Sequence, residues 1–399
     1  MKIIALLENG ITSGGGFNQE LNAILQMKRI CGKRFEFEVL TTKRENIGSL
    51  EKLGVTAGFM SIGIFEKLLS QFVVMQLWQK IQSRLRRRLI LPYEKKLIRH
   101  GADIIYFTDP SFRSLPLQRL NYIITVWDLC HRDTPEFPEV REFNQFHERE
   151  NVYQKALAPS VVVLTESKTL AENLSRRYGV DRERILPMPL SPAAWLNEAH
   201  AINTEDVLTK YQIDSGYFFY PAQFWSHKNH IRILEALLVL GQEGQCPIMV
   251  FAGGDKGNRK TVERFISRNN LAGQVKLLGF VPVEDMRGLY TGCRAVVMPT
   301  YFGPTNLPPL EAWMMGKPLI YSAHLHEQAG DAAILIDPDN ANDLAEALKA
   351  SMDDRICAEL VEKGRKRFQE IKVQRDMAEA ELLARLVRFE KRSRCWAHI

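Results

Sequence analysis

Four short stretches in the second half of the chain carry the residue types that phosphate and ribose chemistry requires. Pro299 to Trp313 (PTYFGPTNLPPLEAW) turns through Gly303, Pro304, Thr305 and Asn306 into an apolar-periodic segment from Leu307 to Met315. A helix starting there aims its first backbone amides, those near 305–307, at an anion. Glu311 falls about one turn inside it, where a carboxylate can accept hydrogen bonds from sugar hydroxyls. Gln223 to His230 (QFWSHKNH) sets Lys228 and Asn229 before a second helical segment, His230 to Gly241. An ammonium there can neutralise phosphate charge. The remaining two stretches are Gly253-Gly254-Asp255 and Leu278-Gly279-Phe280-Val281. Taken singly, each has an ordinary alternative: a surface lysine, a solvated glutamate, a strand–helix turn.

The elements that must position these residues are apolar runs. Tyr217 to Pro221, Ile248 to Phe251, Val275 to Leu278 and Ala295 to Met298 each precede one of the stretches and read as buried strands. In a parallel α/β sheet the loops after the strands share one edge, where ligands bind. The first half repeats the design. Lys2 to Leu7, Phe35 to Leu40, Asp103 to Thr108, Tyr122 to Val126 and Val161 to Leu164 read as strands. The glycine run Gly14-Gly15-Gly16 precedes a helix from about Phe17 to Cys31 and permits close backbone approach by a ligand. Asp128 and His131 follow the Tyr122 to Val126 strand as polar groups that either line a cleft or cap and bond locally.

The order HKN (227–229), GGD (253–255), LGFV (278–281) and LPPLEA (307–312) resembles the donor domain of glycosyltransferase family 4, over about 205–350. Trp127 to Glu136 (WDLCHRDTPE) resembles the family's HDL…HR..PE segment, and Val161 to Ser167 its V(I/V)T.S segment. The resemblance implies an α/β chain of GT-B fold, two Rossmann-like domains facing across a cleft. Its domains would be 1–190 on the acceptor side, 205–375 for the nucleotide-sugar donor, and a helix over 376–399 crossing back, with a linker at about 187–205. It implies a retaining transfer of a hexose from a nucleotide-diphosphate sugar to a glycan, as in bacterial surface-polysaccharide mannosyl- and hexosyltransferases. It further implies no metal and no other cofactor.

By the same resemblance the catalytic group is Asp128, His131 and Lys228. Donor binding falls to Gly15, Gly16, Gln223, Lys228, Asn229, Gly253, Gly254, Phe280, Val281, Thr305, Asn306, Leu307 and Glu311. Three positions depart from the family's pattern. Trp127 stands where a histidine is usual, Gln223 where an arginine precedes the lysine, and Gly303 where the first glutamate of a pair would fall. The four stretches contain no Asp-x-Asp pair, so diphosphate charge would rest on Lys228 and helix-terminal amides. The alternatives are a non-catalytic GT-B-like subunit that binds nucleotide or glycan, and a nucleotide-sugar 2-epimerase.

Bulk properties narrow the setting. A chain of 399 residues with 45% apolar and 25% charged residues suits two globular domains. No apolar run reaches membrane-spanning length. The N-terminus, MKIIALLENG, reads as a first strand and not a signal peptide. Six scattered cysteines argue for a reducing compartment and against a zinc or disulfide framework, so a cytoplasmic location is expected. The charge is concentrated in one place: between Lys80 and Arg99, eight lysines and arginines face Glu94 alone, a net +7 against +6 for the whole chain. With apolar residues at helical spacing from Phe65 to Leu85, the stretch at about 62–99 suits a helix lying on anionic lipid. Trp78, Arg84, Arg86, Arg87 and Arg88 would make that contact, at the inner membrane, and bring the enzyme to a lipid-linked acceptor. A core helix with a solvated basic face is the alternative. No nucleic-acid module accompanies the patch.

Overall fold

The computed structural model describes residues 1–10, 15–52, 54–61, 63, 90–193, 196 and 203–395. It divides into two units, the first of Met1–Trp127, His147–Pro189 and Arg375–Ile399, the second of Asp128–Phe146 and Leu190–Gln374. Residues 128–146 thus belong with the second unit, although the sequence reading placed the whole of 1–190 in the first. The reason is side-chain contact: Phe137 packs on Tyr301 and Phe302, and Glu139 bonds His227.

Unit 1 holds β1 (Lys2–Leu7), β2 (Glu36–Thr41), β3 (Ala57–Phe59), β4 (Ile104–Phe107), β5 (Asn121–Val126), β6 (Val162–Thr165) and β7 (Ile185–Pro187). They form one parallel sheet in the order β3-β2-β1-β4-β5-β6-β7. The strand interiors are continuous apolar runs because helices cover both faces of such sheets. The helix Gly15–Cys31 buries Phe17, Leu21, Ile24 and Met27, one stripe at helical spacing. Trp127, where the resemblance would place a sugar-contacting histidine, packs against this core.

Of the basic stretch, residues 62 and 64–89 lie outside the described residues, and with them Trp78, Arg84, Arg86, Arg87 and Arg88. Its last turns form the helix Pro92–Arg99, which buries Tyr93, Glu94 and Leu97. Glu94 accepts hydrogen bonds from the backbone amides of Gln118, Arg119 and Leu120. That end of the stretch is a core-facing helix, with Lys95 and Arg99 exposed.

Unit 2 holds β8 (Phe218–Pro221), β9 (Met249–Ala252), β10 (Val275–Gly279), β11 (Ala295–Met298), β12 (Leu319–Ser322) and β13 (Ile334–Ile336). Its parallel sheet runs β10-β9-β8-β11-β12-β13. The order reverses between β8 and β11, and in open α/β sheets ligands bind beyond the strand ends at such a switch point. The loops that leave β8 and β11 are those of Lys228 and of Gly303 to Asn306.

The chain ends in one helix, Asp354–Ser393. It starts well before the Asp376 expected from sequence, because i,i+4 pairs such as Glu359–Lys363 and Glu362–Lys366 support its early turns. From Arg375 onward it belongs to unit 1, where Ala378, Leu382 and Leu386 join the core.

Candidate functional site

Four loops are tied together at the strand ends of unit 2. The Gly253 amide donates to the Gly279 carbonyl at 2.7 Å, joining the loops after β9 and β10. The Phe224 amide donates to the Gly254 carbonyl at 3.0 Å, joining those after β8 and β9. The Tyr301 amide donates to the His227 carbonyl at 2.9 Å, joining those after β8 and β11. A Cβ on Gly253 would lie 2.1 Å from the Ala222 carbonyl oxygen, so the glycine is required by this loop packing itself.

Lys228 closes the short 3-10 turn Ser226–Lys228. Its Nζ donates to Asn306 Oδ1 at 3.4 Å, spanning the switch point. Burial pushes the ammonium down to about 8, against the pull of nearby Cys130, Asp128 and Glu139. A bound diphosphate would reverse that penalty by supplying the counter-charge. Beside it, His227 stacks flat on Phe302, ring centroids 4.0 Å apart. Burial pushes His227 down to about 4, so its ring is neutral at pH 7 and Nδ1–H can donate to Glu139 Oε1 at 3.3 Å. The His227 backbone amide donates to the same oxygen. Burial works against the Glu139 carboxylate, yet these bonds hold it below its usual range. Glu139 Oε2 is buried with no hydrogen-bond partner among the described residues.

The turn after β11 explains the missing glutamate. Gly303 has φ +94°, and a Cβ there would lie 2.9 Å from the Thr305 carbonyl oxygen. A glutamate would need a differently shaped turn. The turn leads into the helix Leu307–Met314, with Asn306 as its N-cap residue. Glu311 is buried, and its carboxylate accepts from the Tyr290 hydroxyl. Burial pushes Glu311 up to about 7, opposed by that bond and one from the Ala193 amide.

The remaining expected site residues fall as follows. Gln223 Oε1 accepts from the Trp225 indole at 3.2 Å. Asn229 adopts φ +57°, and its side-chain amide donates to the Pro338 carbonyl at 2.8 Å, which makes it a brace for the loop. Gly254 is partly exposed, Val281 and Leu307 are buried, Thr305 is partly buried, and Phe280 stands 76% exposed beyond β10. Asp128 accepts from the Cys130 amide in a local turn. His131 is fully buried, its ring edge-on to Phe146. That geometry favours the packing alternative over an open catalytic ring. Gly15 and Gly16 begin a helix of unit 1. Sequence reasoning missed Glu139 and Tyr290. Glu139 lies three residues beyond the Pro135-Glu136 pair that matched the family segment, and only the fold brings it to His227.

Residues 208–369 match the family model described as Glycosyl transferases group 1. O-antigen chain mannosyltransferase B of Escherichia coli is 26% identical over 261 residues, 64% of this chain and 67% of that protein. O-antigen chain mannosyltransferase RfbU of Salmonella typhimurium LT2 is 23% identical over 255 residues, 63% of this chain and 66% of that protein. Among solved structures, Anabaena HepE in complex with UDP and glucose aligns with a TM-score of 0.70 at 17% identity, covering 96% of this chain and 99% of that one. WaaG, a glycosyltransferase involved in lipopolysaccharide biosynthesis, aligns at 0.64 and 13% identity, covering 95% and 99%. The fold is GT-B, as the sequence motifs implied.

Proposed function

We propose that this glycosyltransferase, whose residues 208–369 form a group 1 domain, moves a hexose from a nucleoside-diphosphate sugar to a glycan in surface-polysaccharide synthesis, with retention of configuration. The bond from the sugar's anomeric carbon to the diphosphate breaks, and a bond to an acceptor hydroxyl oxygen forms on the same face. The hydroxyl proton passes to the departing diphosphate. Lys228 and the amides at the start of the helix Leu307–Met314 stabilise the charge that develops there. Glu311 accepts hydrogen bonds from the ribose. The names of two relatives favour mannose as the hexose.

One observation carries this reading: Lys228 Nζ meets Asn306 Oδ1 across the switch point of unit 2, at a helix N-terminus. A thermal-shift screen against GDP, UDP, dTDP, ADP and CMP tests it. A ligand at 100 times its dissociation constant stabilises by about 2.7 kcal/mol. One diphosphate is expected to raise the melting temperature equally with EDTA and with magnesium. No shift with any of the five would overturn the proposal.

The acceptor is proposed to be lipid-linked, reached from the cytoplasmic face of an anionic membrane. No described helix is long and apolar enough to cross a membrane. Support comes from the net +7 between Lys80 and Arg99, since each basic side chain near an anionic surface contributes about 1 kcal/mol. Flotation with anionic vesicles should carry the protein upward, and replacing Arg86, Arg87 and Arg88 by Gln should abolish this. Failure of the unmodified protein to float would sink the membrane reading.

A further inference from the structure

Gln328 lies outside every motif above, yet it is 4% exposed and its side-chain amide makes three hydrogen bonds. Its Oε1 accepts from the Asn306 backbone amide at 2.8 Å, and its Nε2 donates to the Asn306 carbonyl at 2.7 Å. The side-chain amide thus pairs with the backbone of Asn306 at both its donor and its acceptor. Gln328 Oε1 also accepts from the Tyr321 hydroxyl at 2.9 Å. Asn306 Nδ2 donates to that same Tyr321 oxygen at 2.8 Å and to the Phe302 carbonyl at 3.3 Å. With Nδ2 committed in this way, Asn306 Oδ1 is the atom turned to Lys228. Replacing any member of such a buried network strands polar groups at about 1–3 kcal/mol each.

We propose that Gln328 is a positioning residue for the donor diphosphate, which through Asn306 and Tyr321 fixes both the N-terminus of the helix Leu307–Met314 and the direction of the Lys228 ammonium. This rests on the donor site proposed above. The neutral triad braces a turn whose Gly303 leaves no place for a carboxylate, so the phosphate end of the site keeps the positive charge of Lys228 without an acidic neighbour on that turn.

The test uses calorimetric titration of GDP and UDP, and of guanosine and uridine, against the full chain and two variants. Gln328→Leu removes all three bonds. Gln328→Glu keeps the acceptor and loses the donor to the Asn306 carbonyl. Gln328→Leu is expected to weaken the diphosphate at least tenfold (about 1.4 kcal/mol) and the matching nucleoside less than twofold, with Gln328→Glu intermediate. A merely structural role would weaken nucleoside and diphosphate alike, and that result would overturn the proposal, as would unchanged diphosphate binding. If Gln328→Leu does not fold, Gln328→Glu decides by the same ratio. Absence of diphosphate binding by the unmodified protein would instead overturn the proposed function itself.

Discussion

Replacing Lys228 by Met is expected to lower kcat/KM by about 10²- to 10³-fold, the cost typical of removing one preorganised donor from a developing negative charge. The melting temperature of the free protein should stay level or rise. The stability expectation follows from burial, which pushes this ammonium down to about 8, so the fold disfavours the cation when no ligand is bound. Removing it relieves the free protein and strips the diphosphate of its counter-charge. Loss of function with a gain in stability is the signature of a site residue held at a cost to the fold. Equal losses of activity and melting temperature would instead make Lys228 a structural residue.

Glu311→Gln should weaken nucleoside binding by about tenfold or more, since a charged hydrogen bond to a ribose hydroxyl contributes about 1.5–3 kcal/mol. Its effect on stability depends on pH, with a definite sign. Burial raises the folded-state value of Glu311 from 4.5 to about 7. Between those values the folded protein holds a proton that the unfolded chain releases, so stability falls as pH rises through that window and levels off above it. Glu311→Gln abolishes this ionisation and should remove its share of the decline, leaving that of Glu20 and Asp109, which burial also raises. Denaturant midpoints at pH 4.5 and pH 8 measure it. An identical pH dependence in both proteins would mean that Glu311 titrates normally.

What the sequence made legible is what local pattern determines. Strands such as β1 and β11 read correctly because parallel strands covered on both faces are unbroken apolar runs, as in Ile3 to Leu7 and Ala295 to Met298, whereas the short β3, β7 and β12 were not read. Strand followed by Gly, Lys or Asn at a helix start was enough to place Lys228 and Asn306 at one sheet edge. What escaped depends on long-range contact. Gln328 meets Asn306 across 22 positions and Glu139 meets His227 across 88. No window of sequence joins those pairs. Trp127 stands where the family has a histidine, and it packs, partly buried, against the core of unit 1. Asn229 reads as a ligand group, whereas its left-handed backbone and bond to Pro338 make it a brace. His131 reads as chemistry and is buried against Phe146. In each case residue type was visible and direction was not.

The central claim is that Lys228 and Glu311 together hold the donor nucleotide. The measurement that tests it most directly is the affinity for GDP and UDP from pH 6.5 to pH 9, in the unmodified protein, Lys228→Met and Glu311→Gln. On the proposed roles, binding needs Lys228 protonated and Glu311 ionised, and these states overlap between about 7 and about 8. Affinity should therefore peak in that window and fall on both sides. Lys228→Met should lose the alkaline limb alone and Glu311→Gln the acidic limb alone. A flat profile in the unmodified protein, or limbs that survive in both variants, would contradict the account.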